Sequence, residues 1–217
     1  MVQKYEKRPR GRPRAYDPEQ AMAQATDAFW RTGFSGTSLD DLSAATGMNR
    51  PSLYGAFGDK RALYLATLDR YIDNGRRAMV AVLDREQPVR KVLRQLYERA
   101  LSMYLPPGDA ALGCFLIGTA TTEAVSDPEV RAKLSAGLRL FDGEFEARLR
   151  HAQAQGEIAA DADPAALAKI ASAILHTLAL RSRAGDPPAS LRATADAGVQ
   201  LICGAAPAPP AKARRRS

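Results

Sequence analysis

The 217-residue sequence has few residues of the kinds that metal centres and hydrolytic active sites require. It contains two cysteines, Cys114 and Cys203, and two histidines, His151 and His176, and none of them stands at metal-ligand spacing. No nucleophile and base lie at a recognisable spacing, and no glycine-rich phosphate loop is present. We therefore expect neither a metal nor another cofactor, and the hypothesis of a helical enzyme has little support.

The sequence also lacks a long apolar run and an N-terminal signal segment. Its most apolar stretch, residues 110 to 120, is shorter than the roughly 18 residues that cross a bilayer, and it contains two glycines. The first 20 residues are basic and interrupted by prolines, which a signal segment is not. We expect a cytoplasmic protein with no membrane partner, whose two thiols stay reduced.

Strand patterns are absent as well, and apolar residues recur instead at helical spacing. From residue 73 onward, proline and glycine breaks divide the chain into about six predicted helices, with no internal repeat. The clearest of them is one amphipathic helix. Its apolar positions are Val89, Val92, Leu93, Leu96, Tyr97, Ala100, Leu101 and Tyr104.

Charge is concentrated at the two ends of the chain. The net charge is +7, of which residues 1 to 16 carry +5 and residues 205 to 217 carry +4, so the body between them carries −2. The ends therefore provide most of the attraction for a polyanion. We expect both ends to be disordered and two folded domains to lie at residues 17 to 72 and 73 to 204.

Residues 37 to 61 contain the start and stop signals of two short helices, followed by the start of a third. The first helix can begin at Thr37 or at Ser38, because each has an aspartate three residues later, Asp40 or Asp41. Such a pair satisfies the free N–H groups of a helix start reciprocally. The spacing alone does not choose between the two starts.

A sharp turn is predicted between residues 46 and 49. Gly47 can take the left-handed backbone conformation that ends a helix at little cost. Asn49 can cap the next helix, and Pro51 is tolerated in its first turn. The two short helices therefore meet at a tight corner.

The second helix, roughly residues 50 to 57, has two inward apolar residues, Leu53 and Phe57, one turn apart. Its other residues face outward and present a cation, an amide, two hydroxyls and, at a glycine, open space where a side chain would be. This chemistry is typical of a helix that reads base edges in the major groove, although a polar helix on a solvated face has a similar composition. The outward residues are Asn49, Arg50, Ser52, Tyr54 and Gly55.

These motifs belong to a longer stretch, residues 17 to 71, that resembles the DNA-binding domain of the TetR family of bacterial transcriptional regulators. The resemblance implies an all-α fold of about nine helices, in which a three-helix helix-turn-helix domain precedes a helical ligand-binding and dimerisation domain. The matching segments are Ala-Phe-Trp-Arg-Thr-Gly-Phe at 28–34, Thr-Ser-Leu-Asp-Asp-Leu at 37–42, Gly47, and Ser-Leu-Tyr-Gly-Ala-Phe-Gly-Asp-Lys at 52–60.

The resemblance also implies which residues contact DNA. Tyr54 and Lys60 would hold phosphates, and Thr37 would do so from the start of the preceding helix, where Ser38 would also contact DNA. Because phosphate contacts fix register without reading sequence, we expect Lys60 and Tyr54 to govern affinity and Arg50 to influence the choice of site. The residues that would approach base edges are Asn49, Arg50, Ser52 and Gly55.

The N-terminal segment at residues 7 to 14 resembles an AT-hook, whose Arg-Gly-Arg-Pro core lies extended in the narrow minor groove of A·T-rich DNA. Arg10 and Arg12 would then point into the groove. The alternative is a solubilising arm without groove preference. Either form could reach DNA beside the recognition helix, because only a few residues separate it from the first helix.

The last two long helices, near residues 164 to 181 and 188 to 203, are rich in alanine and leucine. The apolar residues of the first cover more than one face, which is more than packing on one side requires. The resemblance implies that these helices pair with their copies in a two-fold homodimer on a near-palindromic operator; otherwise the chain itself covers the extra face. These apolar residues are Ala168, Ala171, Ile174, Leu175, Leu178 and Ala179.

The resemblance further implies a C-terminal pocket whose small-molecule effector releases the operator. Candidate lining residues are apolar, aromatic or lone polar groups on helices expected near the domain centre, and a helical core contains such residues in any case. Their chemistry favours an uncharged or aromatic effector. They are Met103, Tyr104, Cys114, Phe115, Ile117, Glu123, Phe141 and His176.

Cys114 is open to two interpretations. It stands between Gly113 and Gly118 in what we interpret as an apolar helix, as either a packed core thiol or a reactive one. The hypotheses for function are therefore a dimeric repressor released by a small molecule, an architectural protein of A·T-rich DNA without an effector, and a regulator that senses redox state through Cys114.

Overall fold

The structure, a computed structural model, describes residues 16–108 and 110–204. Within these ranges it contains nine α-helices, one π-helical segment and no strand, so the predicted all-α class is confirmed. The basic arm with Arg10 and Arg12 lies outside the described residues, as does the basic tail. The helices are α1 (Pro18–Gly36), α2 (Leu39–Thr46), α3 (Arg50–Phe57), α4 (Lys60–Leu83), α5 (Val89–Tyr104), α6 (Thr121–Glu123), α7 (Pro128–Ala154), α8 (Pro164–Arg183) and α9 (Pro188–Cys203), and the π-helical segment is Leu116–Ala120.

The chain divides into two compact units, with the boundary between Thr67 and Leu68. The first unit contains α1 to α3 and the first turns of α4, and the second contains the rest of α4 through α9. The domain limits drawn from the sequence, with a change at residue 72, stay a prediction. In the described part of the chain, no helix combines the length and apolarity needed to cross a membrane.

Aromatic rings form much of the core of the first unit. The Phe29 ring of α1 is fully buried, and its centroid lies 5.2 Å from that of Tyr64 in an edge-to-face arrangement. The Phe34 ring lies 5.0 Å from the same tyrosine, centroid to centroid. Leu42 of α2 and Leu53 of α3 are also buried. Because α2 and α3 are anchored by these apolar residues, their polar sides remain in solvent.

Helix α5 is packed against α7, α8 and α9 in the second unit. All eight apolar positions predicted for it are buried, which confirms the amphipathic pattern seen in the sequence. The Tyr97 hydroxyl donates a hydrogen bond to the Ala171 carbonyl at 3.1 Å, so this buried polar group of α5 is satisfied by α8.

Candidate nucleic-acid interface and buried thiol

Helix α2 begins at Ser38, one of the two starts that the sequence allowed. The Ser38 hydroxyl oxygen accepts from the Asp41 N–H at 3.1 Å, and Asp41 Oδ2 accepts from the Ser38 N–H at 2.8 Å. This is a complete capping box. The hydrogen bonds from the Ser38 hydroxyl and N–H hold the pKa of the Asp41 carboxyl below its usual value. Asp40 takes no part in the cap.

Thr37 lies at the same corner but faces the interior. Its side chain is only 1% exposed, and its hydroxyl donates to the Gly33 carbonyl at 2.6 Å and shares a hydrogen bond with the Thr32 hydroxyl at 2.7 Å. Its N–H donates to the Phe34 carbonyl. The phosphate contact of Thr37 stays a prediction, and it would require these internal hydrogen bonds to open. Ser38, next to it, is exposed.

The predicted turn between α2 and α3 is confirmed. Gly47 ends α2 with φ 66° and ψ 11°, the left-handed conformation that glycine adopts without steric cost. Asn49 caps α3, and its Oδ1 accepts from the Ser52 N–H at 2.9 Å. Met48, between these two residues, is buried, an anchor that the sequence analysis did not identify.

Helix α3 presents a polar surface over an apolar base. Leu53 is buried as predicted, whereas Phe57 is only half-buried, with its ring centroid 6.5 Å from that of Tyr16. A Cβ placed on Gly55 would meet no atom within 4 Å, so this position leaves open space on the surface. The residues expected to face outward are all exposed: Asn49, Arg50, Ser52, Tyr54 and Gly55.

Lys60 is the first residue of α4, whose start is capped by Asp59 through a 2.7 Å hydrogen bond from the Ala62 N–H to Oδ1. The Lys60 ammonium lies 4.4 Å from the centroid of the Phe34 ring, a cation–π contact. Its charge also adds to the lowering of the Asp41 pKa that Ser38 causes, which places it near the start of α2. An ammonium close to a helix start favours an anion such as a phosphate.

An ion pair that no sequence pattern indicated joins α2 to α3. Asp40 Oδ1 accepts from Arg50 Nε at 3.1 Å and from Arg50 Nη2 at 2.7 Å. The hydrogen bond to Asp40 and its negative charge raise the pKa of the guanidinium. Asp40 is available for this pair because Asp41 forms the cap of α2. The ten-residue separation gives no local signal, since the two side chains meet only once the turn has formed.

Cys114 does not lie within a helix, so that part of the sequence interpretation is wrong. Residues 110 to 114 have no regular structure, and the helical turns begin at Phe115. Gly113 has φ +62°, and a Cβ there would lie 2.6 Å from the Ala179 carbonyl oxygen of α8. The chain thus passes α8 too closely for any side chain, and the positive φ interrupts a helical path.

The Cys114 sulfur is buried among hydrogen-bond donors. The Tyr71 hydroxyl donates to it at 3.3 Å, and the N–H groups of Ile117 and Leu116 also point to it. Burial raises the pKa of the Cys114 thiol, while these three donors lower it and only partly offset the burial. The π-helical segment follows immediately, a rare geometry that often marks functional sites.

The eight predicted pocket residues are only partly brought together. Tyr104 and Phe115 are buried beside Cys114 and Tyr71. The ring centroids of Tyr71 and Phe115 lie 5.4 Å apart. Burial and the nearby Cys114 raise the pKa of the Tyr104 hydroxyl. Tyr71 was not in the predicted set. Met103 is instead exposed. Phe141 is buried, and Ile117, Glu123 and His176 are half-buried.

A surface cleft of about 280 Å³ lies elsewhere, between the end of α5 and the start of α9, and contains none of the predicted pocket residues. Two further predicted pocket residues have neighbours outside the predicted set. Phe141 packs against Gly75, where a Cβ would lie 3.2 Å from its ring. Burial lowers the pKa of His176, and the negative charge of Asp142 opposes this lowering. The cleft is lined by Leu101, Ser102, Leu105, Pro107, Pro188 and Arg192.

Comparison with protein families matches both units of the chain. Residues 21–67 match the family described as bacterial regulatory proteins, tetR family. Residues 88–197 match a tetracyclin repressor-like C-terminal domain. The first match contains all of the helix-turn-helix, and the second contains α5, the Cys114 region, α8 and most of α9.

Individual relatives extend over most of the chain. The HTH-type transcriptional repressor ComR of Escherichia coli (strain K12) is 32% identical over 180 residues, which cover 82% of this chain and 85% of ComR. The HTH-type transcriptional repressor BdcR of the same strain is 34% identical over 54% of this chain and 59% of BdcR. A structure of the TetR family transcriptional regulator CifR, a cysteine mutant complexed with 26 bp double-strand operator DNA, is 31% identical with a TM-score of 0.75, covering 87% of this chain and 98% of CifR.

The capped α2, the left-handed glycine turn and the exposed α3 form a helix-turn-helix of the kind that enters the major groove. These elements lie within the family match at residues 21–67, and the matches to ComR and CifR cover 82% and 87% of the chain. The chain belongs to the TetR family of bacterial transcriptional regulators.

Proposed function

We propose that the protein is a homodimeric repressor that binds a near-palindromic operator through α3 and is released by a small-molecule effector. The observation that carries the proposal is the exposed polar surface of α3 above a buried apolar anchor, Leu53. The relatives ComR and BdcR are named as repressors, and CifR was solved on operator DNA.

Phosphate contacts are assigned to Tyr54 and Lys60. Tyr54 is exposed on α3, and the Lys60 ammonium lies near the start of α2, where the backbone N–H groups carry partial positive charge. Asn49, Arg50, Ser52 and Gly55 are also exposed and are assigned to base edges. The arrangement separates residues that set affinity from residues that set sequence preference.

The homodimer is supported by apolar residues exposed on α8 and α9. The two helices are joined by a short connection and therefore run antiparallel. Leu180 is 66% exposed and Leu201 is 68% exposed, large apolar side chains that solvent disfavours. Smaller exposed residues continue both stripes, at seven-residue spacing on α8 and four-residue spacing on α9: Ala166 and Ala173 precede Leu180, and Ala193 and Ala197 precede Leu201.

The oligomeric state tests this part of the proposal. We expect light scattering to give a dimer for the unaltered chain and a monomer for Leu180→Glu or Leu201→Glu, because each places a charge in the apolar interface. Val125→Glu is the matched control, since Val125 is 78% exposed on a different part of the unit. A monomeric unaltered chain, or a dimer that survives both α8 and α9 substitutions, would contradict the assigned interface.

DNA selection tests the operator. When random double-stranded DNA is enriched on the purified protein, we expect one motif with two-fold symmetry and half-sites one helical repeat apart. A broad preference for A·T-rich DNA without symmetry would support the architectural alternative instead. In that case the basic ends, not α3, would account for binding.

A thiol-based regulator is the second candidate, because three hydrogen-bond donors converge on the Cys114 sulfur. In that mechanism peroxide oxidises the thiol to a sulfenic acid, one peroxide oxygen forms the S–OH group and the other leaves as water. We expect peroxide to release the operator from the unaltered chain and from Cys203→Ser but not from Cys114→Ser. Equal release in all three would exclude Cys114 as the sensor.

A further inference from the structure

We propose that Asp40 is a specificity-determining residue, which orients the Arg50 guanidinium for contact with a guanine. The inference rests on the proposed function, in which α3 reads DNA. Its basis is the ion pair between the two helices of the helix-turn-helix, where one carboxylate oxygen accepts from both Nε and Nη2 of Arg50.

The geometry leaves a defined part of Arg50 available. The guanidinium is planar and carries five N–H donors in a fixed arrangement. Asp40 engages the edge formed by Nε and Nη2, whereas Nη1 has no hydrogen-bond partner among the residues that the structure describes. The Nη1–Nη2 edge can therefore donate two parallel hydrogen bonds. Guanine O6 and N7 accept such a pair in the major groove.

Fold stability does not explain the pair. The side chains of Arg50 and Asp40 are 55% and 76% exposed, and ion pairs in solvent contribute little to folding. The cap of α2 does not need Asp40 either, since Asp41 provides the complete capping box. The pair holds the long, flexible Arg50 side chain in one orientation at the first residue of α3. Part of the conformational entropy that this side chain would lose on binding DNA is therefore already lost in the free protein.

The charge of Asp40 also bears on selectivity. The Asp40 carboxylate lies beside α3 and repels phosphates. It also partly neutralises the Arg50 guanidinium, which would otherwise attract phosphates whatever the base sequence. Arg50 is then favoured where its free edge finds two acceptors, and disfavoured as a general phosphate ligand. Asp40 thereby increases the difference between specific and non-specific binding.

The test measures base discrimination rather than affinity alone. Dissociation constants are determined for the selected operator and for versions with each base pair replaced in turn, for the unaltered chain, Asp40→Ala, Arg50→Ala and the double variant. Asp27→Ala is the matched control, because Asp27 is also an exposed acid of the first unit paired with an arginine, Arg31. Asp40→Asn keeps an oxygen acceptor and should behave between the unaltered chain and Asp40→Ala.

We expect Asp40→Ala to lower discrimination about tenfold at one guanine of each half-site, the same position that Arg50→Ala affects. The effects of the two substitutions should be non-additive in the double variant. Asp27→Ala should leave discrimination unchanged. Discrimination in Asp40→Ala equal to that of the unaltered chain, while Arg50→Ala loses it, would overturn the inference and leave the proposed function intact. Failure of the unaltered chain to select any motif would overturn both.

Discussion

The Tyr71 hydroxyl donates a hydrogen bond of 3.3 Å to the sulfur of Cys114, which lies 43 residues later in the chain. Tyr71 belongs to α4, and Cys114 to the segment that leads into the π-helical turn. The contact joins a buried thiol to the hydroxyl of a half-buried tyrosine, whose ring packs edge-on against that of Phe115. Burial has the largest influence on the pKa of this thiol and raises it, and the hydrogen bond from Tyr71 lowers it in part.

Replacing Tyr71 with Phe should make Cys114 less acidic. The substitution removes a donor that favours the thiolate while it keeps the ring against Phe115, so the midpoint of the rate of alkylation against pH should move to higher pH. The measurement is made in a Cys203→Ser background, which leaves one thiol to react. A midpoint that stays in place or falls would show that the hydroxyl does not act on the sulfur.

Gly113→Ala should destabilise the protein by about 2 kcal/mol or more. A Cβ would lie 2.6 Å from the Ala179 carbonyl oxygen, and φ +62° is unfavourable for alanine. Urea unfolding gives the comparison. Gly143→Ala is the control, because a Cβ on this α7 residue meets nothing within 4 Å and alanine favours a helix. Equal unfolding midpoints for the two variants would contradict a steric conflict between residue 113 and the Ala179 carbonyl.

Ser38→Ala should lower the Tm by a few degrees at neutral pH, because it opens the capping box of α2. The hydrogen bonds from Ser38 hold the pKa of the Asp41 carboxyl in the folded chain below its usual value. The contribution of the ionised carboxylate to stability is therefore complete above the usual pKa and is lost as pH falls through the folded pKa. The Tm difference between the unaltered chain and Ser38→Ala should therefore shrink at acid pH. A difference that is constant from pH 7 to pH 3 would contradict the role of the ionised carboxylate.

Deletion of residues 1 to 14 should weaken operator binding and flatten its dependence on salt. The segment carries six basic residues, and each phosphate contact adds about 0.9 to the slope of log affinity against log salt concentration. We expect the slope to fall by about 2 or more if Arg10 and Arg12 lie against DNA. Deletion of the basic tail at residues 205 to 217 provides the comparison. An unaltered slope after deletion of residues 1 to 14 would show that the arm does not contact DNA.

The local elements could be predicted from the sequence because their causes are local. The turn required a glycine with positive φ, and Gly47 supplies it; the caps required a short polar side chain, and Ser38 and Asn49 supply it. The eight buried positions of α5 followed from spacing alone, since a helix buried on one side repeats every three or four residues.

The features that the sequence did not predict depend on contacts between distant residues. To predict the Asp40–Arg50 pair, one must already know that Asp41, and not Asp40, caps α2. The interruption before Cys114 depends on the close approach of Ala179, which no local pattern indicates. Tyr71 likewise contacts Cys114 from a distant part of the sequence, on α4, a helix that contributed no residue to the predicted pocket.

Titration of a labelled operator with Arg50→Ala and Lys60→Ala tests the central claim, that α3 lies in the major groove and α4 begins at the phosphates. We expect each to weaken binding at least about tenfold, with Arg50→Ala relaxing preference at one base pair and Lys60→Ala weakening all sequences alike. Lys169→Ala, an exposed lysine of α8, should bind as the unaltered chain does. Undiminished affinity in both Arg50→Ala and Lys60→Ala would contradict the assignment of α3 as the recognition helix.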